Sequence, residues 1–144
     1  MIDFTINKTS TASIDVVFDR LTDHAGIADI TPVRKSTLEK QGQPDANGVG
    51  AVRRLELVGP PIREEITEYS KPDSFAYKLL SGLPVKDHVG TVKLTARPDG
   101  GTEVNYHVRS TPTIPGGAVV LKPVLKKAIT DMVTGALKAA ERAT

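Results

Sequence analysis

The order of patterns along this chain constrains its fold more than any single motif does. Ile2, Phe4 and Ile6 alternate with Asp3, Thr5 and Asn7, the period of two that marks a half-buried strand. Ile14, Val17, Phe18 and Leu21 then recur at helical spacing opposite Asp15, Asp19 and Arg20,. About six strand-like segments follow, divided by turn chemistry. From Val120 onward, Leu121, Val124, Leu125, Ala128, Ile129, Met132, Val133, Ala136, Leu137 and Ala140 read as one broad apolar stripe, backed by Lys122, Lys126, Lys127, Asp131 and Lys138. Strands closed by a single long helix make an α+β fold whose helix covers one sheet face. One helix cannot seal a sheet that wide, so a concave apolar space between them is expected, and it is the first place to look for a site.

Ser10, Thr11 and Ser13 offer N-cap chemistry to the first helix, without the Glu or Gln of a capping box,. A second helical turn is expected over Gly26 to Ile30, stopped by Pro32,. The expected strands are Val33 to Gln41, Val49 to Val58, Ile62 to Tyr69, Phe75 to Leu79, Val85 to Ala96 and a strand around Val104 to Val108. Gly59-Pro60-Pro61, Lys71-Pro72-Asp73, Gly82-Leu83-Pro84 and Pro98-Asp99-Gly100-Gly101 punctuate them,. Pro123 belongs near a helix start, so the last helix is expected over about Pro123 to Arg142.

Composition removes several classes of function. With 144 residues the chain is expected to form one domain, residues 1–144, with a substantial core,. Nineteen basic against 17 acidic residues leave a net charge of +2, too balanced and too dispersed for a nucleic-acid surface. Cysteine is absent, which excludes disulfides and thiolate chemistry. The N-terminal segment lacks the basic head and apolar core of a signal peptide, and no apolar run reaches the roughly 20 residues of a membrane span, so a cytoplasmic location is expected. Metal-ligand spacing, a dinucleotide fingerprint and a nucleophile elbow are missing, and no cofactor or metal is expected.

The chain resembles the START-like SRPBCC superfamily, and within it the polyketide cyclase/dehydrase-like group, which includes many small actinobacterial proteins. The likeness is carried by Val17-Phe18-Asp19-Arg20-Leu21-Thr22-Asp23, Gly48-Val49-Gly50-Ala51-Val52-Arg53-Arg54 and Arg63-Glu64-Glu65-Ile66-Thr67-Glu68-Tyr69. Phe75-Ala76-Tyr77, Ser81-Gly82-Leu83-Pro84, Gly101-Thr102-Glu103-Val104 and Ile114-Pro115-Gly116 complete it in order over nearly the whole chain. The resemblance implies a helix-grip fold: a curved seven-stranded antiparallel sheet around a long C-terminal helix, with two short helices between strands 1 and 2. It also implies a hydrophobic ligand between sheet and helix. Many relatives carry Trp after the first helix, where this chain has Ile27 and Ile30 and no Trp anywhere, so a differently shaped cavity entrance is expected.

Individual residues can then be weighed. With Gly59-Pro60-Pro61 as a hairpin turn and Leu57 opposite Ile62, Leu55 falls opposite Glu64 and Arg53 opposite Ile66. Arg53 and Glu64 then share a face with Leu55, Leu57, Ile62 and Ile66, where charges must pair. They read either as a structural ion pair or as a polar anchor for a ligand carbonyl or hydroxyl. His88 is in phase with inward Gly90, Val92 and Leu94, and it reads as a hydrogen-bonded histidine of the core or as a general acid–base. His107 should face solvent, and His24 follows the first helix as a cap. Tyr77 shares parity with Phe75 and Leu79, and Tyr106 with Val104 and Val108; each would supply a wall and a hydroxyl. Lys122, Lys126 and Lys127 read as a solvated face or as weak contact with an anionic membrane surface.

The leading reading is a carrier or binder of a small hydrophobic molecule (lipid, polyketide or isoprenoid-like). Its ligand-binding set is Arg53, Leu55, Glu64, Ile66, Tyr77, Leu79, His88, Tyr106, Ile129, Met132 and Val133, in a cavity of roughly 300–1,000 Å³. The alternatives are a cyclase/dehydratase-type enzyme using His88 and Tyr77 as acid–base groups, and a protein-interaction module with a collapsed cavity.

Overall fold

The computed structural model describes residues 1–23, 35–56 and 59–143. Its elements are β1 (Ile2–Ser10), α1 (Ile14–Thr22), β2 (Lys35–Lys40), β3 (Val52–Glu56), β4 (Ile62–Ser70), β5 (Ser74–Ser81), β6 (Val85–Ala96), β7 (Thr102–Pro112) and α2 (Gly117–Arg142). The seven strands form one curved sheet in the order β1-β7-β6-β5-β4-β3-β2, antiparallel throughout. This is the helix-grip arrangement: a meander from β2 to β7, joined back to β1 and wrapped about α2. The expected turn at Gly26 to Ile30, together with His24, Ile27, Ile30 and Pro32, lies outside the described residues.

The alternation read from sequence sets the inner face. Ile2, Phe4 and Ile6 of β1, Val92 and Leu94 of β6, and Val104, Tyr106 and Val108 of β7 are all buried. In α1, Val17, Phe18 and Leu21 turn inward, and Phe18 meets the edges of Tyr69 and Phe75 at ring separations of 5.3 and 5.8 Å. Ser13 takes the N-cap position but its side chain makes no capping bond. The nearby Ser10 hydroxyl instead accepts from the Ala12 N–H at 3.1 Å and donates to Glu141 at 2.7 Å, linking β1 to the end of α2.

Four expectations change. β1 and β7 are longer than expected, because their pairing continues to Ser10 opposite Thr102 and Ile2 opposite Ser110. β3 begins at Val52 instead of Val49, because Val49 bridges back to Gln43 across its own loop and Gly50 takes a left-handed φ of 88°. The β3–β4 register is shifted by two, with Leu55 opposite Ile62 and Arg53 opposite Glu64. Pro60 and Pro61 have no N–H to close a tight turn, so the connection is longer than a minimal hairpin. An even shift keeps every side chain on its expected face, and here it turns a diagonal Arg53–Glu64 relation into a direct one.

The fourth change concerns α2, which begins six residues before Pro123 and carries that proline inside it. The apolar stripe is also narrower than expected. At about 100° per residue, Val120 and Val124 point well away from Leu125 and Ile129, and both are exposed while Leu125, Ile129, Val133, Ala136, Leu137 and Ala140 are buried. Ala128 is exposed as well.

Candidate functional site

Under the first half of α2, the sheet leaves a cavity of about 110 Å³ lined by Arg53, Leu55, Ile62, Glu64, Tyr77, Leu79, Leu83, His88, Tyr106, Leu125, Ala128, Ile129 and Met132. It is smaller than the roughly 300–1,000 Å³ expected of a small-molecule site, because long aliphatic side chains from both walls turn into the space. Of the residues singled out from sequence, the structure brings nine together on this lining and leaves Ile66 and Val133 buried in the core beside it. Ile62, Leu83, Leu125 and Ala128 complete the wall.

The floor is polar and sealed. Arg53 and Glu64 are only 3% and 6% exposed, and Arg53 Nε donates to Glu64 Oε1 at 2.9 Å. The Arg53 guanidinium also lies over the Tyr77 ring, 5.5 Å from its centroid, a favourable cation–π placement. Burial opposes the arginine's charge, but the Glu64 carboxylate with Tyr106 and Tyr77 outweighs it, so its pKa rises and the group stays cationic. The Tyr77 and Tyr106 hydroxyls are 2.5 Å apart. Burial pushes both phenols up, in each case against the pull of Arg53, so both remain protonated donors near neutral pH.

Tyr77 reaches this position because its partner across the sheet is Gly90. A Cβ on Gly90 would sit 2.3 Å from the tyrosine ring, so only glycine lets the ring lie flat over β6. Next to the lining residue Leu83, Gly82 has a φ of 110°, and a Cβ there would meet the Pro61 carbonyl oxygen at 2.4 Å. That close crossing sets Leu83 beside Ile62.

His88 keeps the inward parity of Gly90, Val92 and Leu94. Just before it the β6–β7 ladder slips between Lys86 and Val89, where Asp87 adopts a left-handed φ of 52°. The imidazole is buried, its Nδ1 is 3.0 Å from the Ser110 hydroxyl, and its ring centroid is 6.2 Å from that of Tyr77. Burial lowers its pKa, partly offset by Glu64, so it is neutral near pH 7. His107 lies on the outer face with Nε2 2.8 Å from Asp3. Ser110 was the polar residue missed from sequence. It continues the inward parity of Val104, Tyr106 and Val108, and that parity could have found it.

Among the described residues, no group of three or more His, Asp or Glu side chains is placed to hold a metal ion. No helix among them is long and apolar enough to cross a membrane.

No protein of curated function matches the sequence. Solved structures share the fold at low identity. A START superfamily protein from Mycobacterium smegmatis superposes with a TM-score of 0.82 at 9% identity, covering 99% of each chain. The di-domain ARO/CYC StfQ from the steffimycin biosynthetic pathway gives 0.80 at 16% identity, covering 99% of this chain and 51% of that one. The ZhuI aromatase/cyclase from Streptomyces sp. R1128 gives 0.76 at 20% identity, covering 97% of this chain and 93% of that one. The family described as polyketide cyclase / dehydrase and lipid transport matches residues 1–143, and the chain belongs to that family.

Proposed function

We propose that this protein binds a small apolar molecule bearing a hydrogen-bond acceptor, such as a ketone, with its hydrocarbon part under α2 and its acceptor on the Arg53–Tyr77–Tyr106 floor. The observation that carries this reading is the convergence of Arg53, Tyr77 and Tyr106, all buried hydrogen-bond donors, on one part of an otherwise apolar cavity lining. Arginine has donors only, five of them; Glu64 engages its Nε, and the guanidinium also donates to the Tyr106 hydroxyl. Two tyrosine hydroxyls that bond to each other use one of their two protons between them, which leaves the other for a third acceptor. Because Glu64 already balances Arg53, the floor favours a neutral acceptor over a carboxylate. Anything larger than a single ring requires the aliphatic lining to move apart.

Displacement of an apolar fluorescent probe by matched pairs of compounds, alike but for one carbonyl, tests the reading. The carbonyl member should bind several-fold more tightly, the ~0.5–1.5 kcal/mol of a net hydrogen bond. Equal affinity across the pairs would sink the acceptor reading, and no probe binding at all would favour the interaction-module alternative.

A second reading, acid–base catalysis of the cyclase/dehydratase kind, is favoured by one observation. A buried His88, kept neutral by burial, lines the cavity beside Tyr77, and a neutral imidazole is competent to take a proton. In that reading His88 is the base and the Tyr77 hydroxyl stabilises the developing enolate. His88→Gln would then lose turnover by ~10²–10⁴-fold while still binding the compound. Binding without conversion by the unaltered protein leaves the carrier reading standing.

A further inference from the structure

His88 finds its partner at the register shift in β6. Lys86 pairs with Thr111 and Val89 with Arg109, so Asp87 and His88 together face the single residue Ser110, the two-against-one arrangement of a bulge. His88 and Ser110 are 4% and 0% exposed, and the imidazole Nδ1 lies 3.0 Å from the serine hydroxyl oxygen. Among the described residues, this contact is the one side-chain hydrogen bond that either of them makes. Nε2 is therefore unpartnered, but it is not sealed away. Among the described residues, Arg54 Nε alone is a fully buried side-chain nitrogen or oxygen without a partner. His88 lines the cavity, which leaves Nε2 as the nitrogen open to a ligand.

These contacts decide where the imidazole proton sits. A neutral histidine has one donor nitrogen and one acceptor nitrogen. With the proton on Nδ1, the ring would donate to Ser110 and leave the buried serine proton with nothing to accept it, which is costly. With the proton on Nε2, the serine hydroxyl donates to Nδ1 and both groups are satisfied. The nearby charges do not compete, because Glu64 and Arg53 are bonded to each other and neither is bonded to the imidazole. We propose that Ser110 holds His88 as the Nε2–H tautomer, so that the imidazole meets a ligand as a hydrogen-bond donor and not as a base. Ser110 is then a positioning residue that acts through His88. The donor role rests on the binding reading above and narrows it. A ketone or ester fits such a wall, whereas an ammonium group, which can only donate, does not.

NMR of the full chain with isotope-labelled histidine rings tests the tautomer with nothing bound, so this arm is independent of the binding reading. Near neutral pH the His88 signals, identified by their loss in His88→Gln, should show the proton on Nε2 and a hydrogen-bonded Nδ1. Ser110→Ala should release Nδ1 and let the other tautomer appear, and Ser110→Thr, which keeps the hydroxyl, should restore the original pattern. A proton on Nδ1 in the unaltered protein, or a Ser110→Ala pattern identical to the unaltered one, overturns the proposal. Titration with cyclohexanone, and with methylenecyclohexane as its isostere without the oxygen, tests the donor role. The ketone should shift the His88 Nε2–H proton, and the hydrocarbon should not. His88→Phe should weaken ketone binding by roughly two- to tenfold, the worth of one net hydrogen bond. If the ketone shifts the Tyr77 and Tyr106 signals but leaves Nε2–H unmoved, the donor role is overturned while the floor keeps its ligand. If it shifts none of the three, the binding reading fails and takes the donor role with it.

Discussion

From Val133 onward, α2 lies close against the rest of the fold. Val133, Ala136, Leu137, Ala139 and Ala140 are buried, the three alanines permit close approach, and Glu141 is held by Ser10. Ahead of that stretch, between Gly117 and Ala128, Leu125 alone is buried. Beneath it the sheet presents a polar floor and an unfilled cavity in place of interlocking side chains. The same helix is thus sealed at one end and cantilevered at the other. The sealed end is made of small apolar groups that fit. The open end pairs long alkyl chains with an ion pair, two phenols and an imidazole, which cannot pack as densely. A site therefore needs no separate domain: one helix face can be core over its second half and cavity roof over its first.

The strongest way to break this comparison is at the floor. Arg53→Met leaves Glu64 buried without its partner and should cost about 3–5 kcal/mol, whereas Arg53→Met with Glu64→Leu should recover most of that loss. Chemical denaturation of both variants measures the difference, and a cheap single substitution would mean the pair is far better hydrated than its burial implies.

Next in size, Leu137→Ala at the sealed end and Leu125→Ala at the open end should separate. Cavity-creating substitutions cost about 2–5 kcal/mol, with larger losses where the site cannot relax. Leu137→Ala should fall near the top of that range and leave probe binding unchanged. Leu125→Ala merges its space with an existing cavity, so it should fall near the bottom and strengthen binding of a bulkier probe. Equal costs would erase the distinction between the two ends.

The smallest effect expected is a dependence on pH. His88 has its pKa lowered by burial from an ordinary value of 6.5. The unfolded chain therefore binds its proton first as pH falls, and the stability contributed by neutral His88 is present above pH 6.5 and declines below it,. His88→Gln should flatten the slope of stability against pH in that window. An unchanged slope would mean that other groups carry the acid sensitivity.

Much of this was legible in the sequence. Period-two alternation placed Ile2, Phe4, Ile6, Val92, Leu94, Val104 and Val108 on the inner face, and parity alone brought Tyr77, His88 and Tyr106 to the same side. Parity depends only on the pleat of the backbone and survives an even slip in register, which is why Arg53 and Glu64 stayed together although their expected pairing was wrong by two residues. Tertiary structure decided what depends on distances between elements: the Tyr77 ring over Gly90, the hydrogen bond between His88 and Ser110, and the size of the cavity. It also decided which way α2 is rotated. Ten apolar residues on one helix span more arc than a single sheet can cover, and only packing against β1 and α1 determined that Leu125 and Ile129 turn inward while Val120 and Val124 are left outside.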